Sequence, residues 1–100
     1  MRRIVQKFGG TSLNSDEKRK LAAKKVKKAV DEGFSPIVVV SAMGRTGDAY
    51  ATDTLINIAT EISSDIDPRE KDLLMSCGEV ISAVIFVQYL KKLNLEGLAL

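Results

Sequence analysis

Histidine and tryptophan are absent from this 100-residue sequence, and cysteine occurs once, at Cys77. Without His, the chain holds no Ser-His-Asp or Cys-His nucleophile system and no imidazole-ligated metal. One Cys excludes an internal disulfide and a thiolate-only zinc site. Two Tyr and three Phe leave little surface for stacking nucleobases. Charge of one sign is also lacking: 15 Lys+Arg stand against 13 Asp+Glu, a net of +2. A dedicated nucleic-acid binder carries a strong basic excess. The longest apolar run, residues 80–90, contains Ser82 and Gln88 and falls well short of the ~20 residues that span a bilayer. Lys7, Gly9 and Gly10 occupy the stretch where a secretory signal needs apolar residues. A cytoplasmic location is therefore expected, with neither membrane nor nucleic acid as partner.

The remaining composition is that of a folded chain. Hydrophobic residues make up 45% and charged residues 28%, too apolar for disorder. Residues 3–8 read as a short strand rich in β-branched residues, stopped by Gly9-Gly10. Asn14 with Glu17 three residues on predicts a capping box, and Asp16 and Glu17 suit the positive end of a helix. Leu21, Ala22, Val26, Ala29 and Val30 then recur at three- and four-residue spacing, the apolar stripe of an amphipathic helix closed by Gly33. Lys18, Arg19, Lys20, Lys24, Lys25, Lys27 and Lys28 lie on the rest of that helix, flanked by Asp31 and Glu32. A solvated helix face explains this run better than a nucleic-acid surface does.

Residues 36–42 form a continuous apolar run of strand length, the pattern of a strand covered on both faces in a parallel sheet. The opening is thus one βαβ unit. Leu55, Ile58, Ala59 and Ile62 mark a second helix that begins near Thr52 or Asp53. Asp67-Pro-Arg-Glu70 is the strongest local signal: Asp at the N-cap, Pro at N1, Glu at N3. The helix it opens is expected to break near Gly78 and resume through residues 80–93, an almost wholly apolar segment that should be buried. Residues 96–100 read as the start of a third strand. So small a sheet makes a marginal core, and the chain reads as part of a larger domain.

Three clusters carry chemistry. In Lys7-Phe-Gly-Gly-Thr-Ser12, glycines after a strand let the backbone approach a ligand, exposed N–H groups can hold phosphate oxygens, and Lys7 adds a full charge. It is neither a Walker A motif nor G-x-G-x-x-G, and a plain strand-to-helix turn needing two glycines explains it as well. Ser41, with the loop Gly44-Arg-Thr-Gly-Asp48, stands at the carboxyl end of the second strand, where ligand crevices open in parallel sheets. Ser41 satisfying its own backbone in an ordinary connector is the simpler account. Glu79, placed at the expected helix break, either caps a helix start or receives a substrate ammonium. Cys77 is a small apolar residue without an activating base.

Taken together, Val5-Gln-Lys-Phe-Gly-Gly-Thr-Ser12, Val39-Val-Ser-Ala-Met-Gly44, Tyr50-Ala-Thr-Asp-Thr-Leu55 and Arg69-Glu-Lys-Asp-Leu-Leu-Met-Ser-Cys-Gly-Glu79 resemble the N-terminal part of the aspartate kinases, within the amino-acid kinase family. The resemblance implies a three-layer α/β/α sandwich with a mainly parallel sheet, present here over residues 1–100 as its N-terminal fragment. The nucleotide lobe and regulatory ACT domains of that family would lie outside these residues. It implies phosphoryl transfer from ATP, with Mg²⁺, to the β-carboxylate of L-aspartate, in a full-length protein that is a homo-oligomer, a dimer. By motif, Lys7 would neutralise the transferring phosphoryl as the catalytic charge. Gly9, Gly10, Thr11 and Ser12 would hold phosphates. Ser41 and Thr46 would meet the aspartate carboxylate, with Gly47 and Asp48 shaping their loop, and Glu79 would hold the α-ammonium. Many members carry a second Thr where Gly47 stands. No protein-ligated metal is implied. The alternatives are a relative acting on glutamate, acetylglutamate, carbamate or UMP, and a non-catalytic module binding anions or a partner chain.

Overall fold

The computed structural model describes residues 2–44, 48 and 51–100. Strands β1 (Arg2–Phe8) and β2 (Phe34–Val40) pair in parallel, in register from Arg2 opposite Phe34 to Phe8 opposite Val40. Helix α1 (Asp16–Asp31) connects them, preceded by a single 3-10 turn at Gly10–Ser12. Helices α2 (Thr52–Ile62) and α3 (Pro68–Lys92) follow as a pair packed on each other.

Local chemistry explains most helix ends. Ser15, not Asn14, is the N-cap of α1: its hydroxyl accepts from the Lys18 N–H at 3.2 Å. The expected capping box is thus displaced by one residue, and Lys18 at N3 leaves no reciprocal carboxylate. Asp16 and Glu17 occupy the first turn as expected, and Gly33 follows the helix with φ of +91°, a conformation that glycine adopts without Cβ strain. Asp67 caps α3 by accepting from the Arg69 N–H at 2.8 Å, with Pro68 in the first turn.

The far end of α3 closes on an unread signal. Asn94 adopts φ of +60°. Its N–H reaches the Lys91 carbonyl, and the Leu95 N–H reaches that of Leu90, each at 3.0 Å. These are the two bonds of a Schellman motif, and they fold Leu95 back onto the core beside Leu90.

From α3 onward, three expectations need correction. Helix α3 runs unbroken through Gly78 over 25 residues; Gly78 is buried there, and the intrahelical ladder costs less to continue than to open at a single glycine. Continuity also makes α3 the one helix, among the described residues, long and apolar enough to cross a bilayer by length and composition. It buries Phe86 against Phe8, with Leu90 in the same core cluster. Nor is its apolar second half wholly buried, since Val80 and Val84 stay exposed. Residues 96–100 form no strand: an extended segment without a hydrogen-bonded neighbour has no ladder to join.

The core lies on one side of the sheet. Phe8, Leu13, Ala22, Ala23, Val26, Met43, Phe86 and Leu90 form it, with Val38 and Val40 packed against it. On the other face Val5, Ile37 and Val39 are exposed. The run at 36–42, read as doubly covered, is therefore buried toward one face and largely exposed on the other. The radius of gyration, 15.3 Å, exceeds the ~13 Å of a compact 100-residue domain. The longest dimension is 49 Å, and α3 alone is about 37 Å long at ~1.5 Å per residue.

Candidate active site

The carboxyl ends of β1 and β2 stand side by side, and the loops that leave them are tied together. The Ser41 N–H donates to the Phe8 carbonyl at 3.1 Å, extending the ladder one step past β2. The Gly44 N–H donates to the Gly10 carbonyl at 2.9 Å. This approach explains one of the paired glycines. A Cβ on Gly10 would sit 2.6 Å from the Ala42 carbonyl oxygen and 2.8 Å from that of Gly44. Backbone atoms do not yield as a flexible side chain does, so the second loop position must be glycine for the two loops to touch.

Gly9 is different. Its φ of −76° and ψ of 168° suit any residue, and a Cβ there would meet nothing within 4 Å. The fold makes no demand for glycine at position 9. Gly44 has φ of +84°, and a Cβ on it would collide with the Asp48 carboxylate, so the Asp48 side chain lies against Gly44.

A cleft of about 230 Å³ opens at this end of the sheet. Gly10, Ser41 and Glu79 line it together, from three separate elements. Glu79 arrives from the middle of α3 rather than from a helix start, so helix capping is not its role. Ala42, Gly44, Ala51, Thr52 and Asp53 complete the lining. Lys7, Gly9, Thr11 and Ser12 are not lining residues. Lys7 is exposed on the uncovered sheet face opposite Val39, and Thr11 and Ser12 are exposed on the 3-10 turn. Thr46 and Gly47 lie outside the described residues.

Sequence reasoning gave Thr52 and Asp53 no role beyond starting a helix. They are the first residues of α2, whose N-cap, Ala51, has no side chain to satisfy the first-turn N–H groups. The positive end of that helix faces the cleft beside the Asp53 carboxylate. The signal lay in the quoted stretch Tyr50-Ala-Thr-Asp-Thr-Leu55, where Thr and Asp open an apolar helical period.

The arrangement suits a small zwitterion next to a phosphate. Glu79 supplies a carboxylate, and Ser41 and Thr52 supply hydroxyls. No general base is needed for a reaction whose nucleophile is itself a carboxylate, ionised at neutral pH.

Comparison with known proteins agrees with this geometry. The model of the amino acid kinase family matches residues 2–100. Aspartokinase 1 of Bacillus subtilis (strain 168) is 53% identical over 100 residues, covering all of this chain and 25% of the relative. Aspartokinase of Geobacillus stearothermophilus is 41% identical over 97 residues, covering 97% of this chain and 23% of the relative. The crystal structure of aspartate kinase from Synechocystis superposes with a TM-score of 0.83 at 40% identity, covering 92% of this chain and 15% of that one. The chain therefore spans about a quarter of the length of the curated relatives it matches. With the family model matched from end to end and both the paired strand ends and the cleft in place, this chain belongs to the amino acid kinase family.

Proposed function

We propose that the protein containing this chain is an aspartate kinase, which transfers the γ-phosphoryl group of ATP to the β-carboxylate of L-aspartate and yields 4-phospho-L-aspartate and ADP. One observation carries the reading: Gly10, Ser41 and Glu79, from three separate stretches of the sequence, line one cleft. Relatives named aspartokinase that align along nearly the entire chain support it.

In the reaction, a carboxylate oxygen of aspartate forms a bond to the γ-phosphorus as the bridging oxygen departs with ADP. No proton need move, and catalysis reduces to positioning and charge stabilisation. Glu79 receives the α-ammonium. Ser41 and Thr46 hold the aspartate carboxylate, with Gly47 and Asp48 shaping the loop between them. Gly9 and Gly10 admit phosphate oxygens to the backbone, where Thr11 and Ser12 add donors. Lys7 meets the transferring phosphoryl by swinging its flexible four-carbon stem past the strand end.

Mg²⁺ fits such a site through nucleotide phosphates and water, which it prefers to a dedicated protein cage. Among the described residues no three acidic, Cys or His side chains gather to form one. When bound, the ion neutralises phosphate charge. The reading further implies a cytoplasmic enzyme, dimeric at full length, opening the route to lysine, threonine, methionine and diaminopimelate.

The test is an acceptor panel on the complete gene product. Aspartate is expected to be phosphorylated in preference to glutamate, acetylglutamate, carbamate and UMP. Preference for any other acceptor overturns the reading. Glu79→Gln should raise the KM for aspartate ~10- to 100-fold, the worth of one charged hydrogen bond, and leave that for ATP near its original value.

A further inference from the structure

Three walls of the cleft meet at one side chain that does not line it. Arg19, the fourth residue of α1, donates from Nε to the Tyr89 hydroxyl of α3 at 3.0 Å. Its NH1 group donates to the Leu13 carbonyl at 2.9 Å, closing the turn that follows Gly10, and reaches the Met43 sulfur at 3.7 Å. Met43 immediately precedes Gly44 of the second loop. The guanidinium also lies 5.6 Å from the Tyr89 ring centroid. The Tyr89 hydroxyl in turn donates to Asp16 Oδ1 at 2.6 Å, so α3 is held to the start of α1 at two points. Asp16 and Arg19 are three residues apart and share a helix face.

We infer that Arg19 is a positioning residue for the aspartate-phosphorylating site: it sets where Glu79 stands relative to Gly10 and Ser41. This rests on the function proposed above. The physical argument is leverage. Glu79 lies ten residues before Tyr89 on one continuous helix, about 15 Å away at ~1.5 Å per residue, so a tilt of about 4° at Tyr89 moves Glu79 by about 1 Å. A shift of that size in a reacting geometry is enough to cost up to ~10²-fold in rate. Lysine would not substitute. Arg19 serves an oxygen on α3, a carbonyl in the first loop and a sulfur in the second at once, from a rigid planar fork, whereas an ammonium is a single point.

The test compares the parent, Arg19→Lys, Tyr89→Phe and the double variant in the complete gene product. Two measurements are made: steady-state kinetics against aspartate and ATP, and amide hydrogen exchange without substrate over residues 10–13 and 42–44. Arg19→Lys is expected to lower kcat/KM for aspartate ~10- to 100-fold, chiefly through KM, and to speed exchange in both loops. Tyr89→Phe should do the same less severely, and the double variant should lose less than the product of the two single losses, because both substitutions cut the Arg19–Tyr89 bond and only one cuts Tyr89–Asp16. Kinetics and exchange within twofold of the parent would overturn the inference. So would a loss proportional to the unfolded fraction with KM unchanged, which marks a merely structural staple. If Arg19→Lys does not fold, Tyr89→Phe decides by the same criteria. A parent that does not phosphorylate aspartate refutes the proposed function instead, and the exchange measurement still judges Arg19.

Discussion

The two faces of the sheet differ in a way their sequences do not. On one face Phe8, Val38 and Val40 meet the α1 stripe of Ala22, Ala23 and Val26. On the other, Val5, Ile37 and Val39 stand exposed beside Lys7. A groove of about 830 Å³ runs between β2 and α3, with residues 94–100 along it and Val80 and Val87 on its wall. Neighbouring valines in one strand thus live in opposite environments. The lesson is that hydrophobicity records the burial a segment is suited to, whereas the burial it receives depends on what else is present to cover it.

The sharpest way to break this contrast is to place the same charge on each face. Val38→Asp puts a carboxylate against the core and should cost on the order of 3 kcal/mol or more, read as a fall in the denaturation midpoint. Val39→Asp, one residue along, should stay within about 0.5 kcal/mol when tested on the 100-residue chain alone. Equal costs would mean that the outer face is covered in solution, for instance by a second copy of the chain.

Activity should divide in the opposite sense. Lys7 is on the uncovered face, so Lys7→Ala should leave the melting temperature of the complete gene product nearly unchanged. It should still lower the rate by about 10²–10³, as removal of one preorganised charge contact does. A loss of only a few-fold would refute the assignment of Lys7. The 100-residue chain by itself is expected to give no aspartyl phosphate signal with ATP, which a hydroxamate assay would check.

The paired glycines sharpen the comparison within one turn. Gly10→Ala forces a Cβ onto two carbonyl oxygens and should destabilise by about 1–3 kcal/mol, as overpacking does. Gly9→Ala enters open space and should alter stability by less than about 1 kcal/mol. If phosphate oxygens approach the backbone there, Gly9→Ala will nonetheless raise the KM for ATP.

The smallest effect concerns pH. The Tyr89 hydroxyl, helped by Lys20, holds the Asp16 carboxyl below its ordinary value of 3.8. A depressed carboxyl stabilises the fold above the unfolded value, and that contribution fades as pH falls from about 3.8 through the lower folded value. The docking of α3 on α1 should therefore loosen under acid. Tyr89→Phe should flatten the dependence, which thermal melts between neutral and acid pH would detect. Asp16 is exposed, so the amplitude is expected to be small.

Much of the fold was legible because local signals dominate where the chain turns. Asp67-Pro68 opened α3, Gly33 closed α1, and the α1 stripe at 22, 26 and 29 became its buried face. The misreadings share a different cause. Asn14 and Ser15 are both good caps, and which one serves depends on where the 3-10 turn leaves the backbone. Gly78 suggested a break because its intrinsic propensity is poor, yet a helix anchored by Phe86 and Leu90 on one side and by α2 on the other runs through it. Residues 96–100 have strand-like composition, yet no ladder joins them to β1 or β2.

The site divides along the same line. Residue types alone settled which chemistry was available: no imidazole, one thiol without a base, carboxylates, hydroxyls and a lysine beside two glycines. That chemistry belongs to the side chains and needs no coordinates. Only the tertiary structure decided that Gly10, Ser41 and Glu79 share a cleft while Thr11 and Ser12 do not line it, and that Arg19, one of seven basic residues in a run, ties α1 to both loops and α3. Those placements follow from strand pairing and helix docking between residues as many as 73 positions apart, and sequence spacing does not encode such distances.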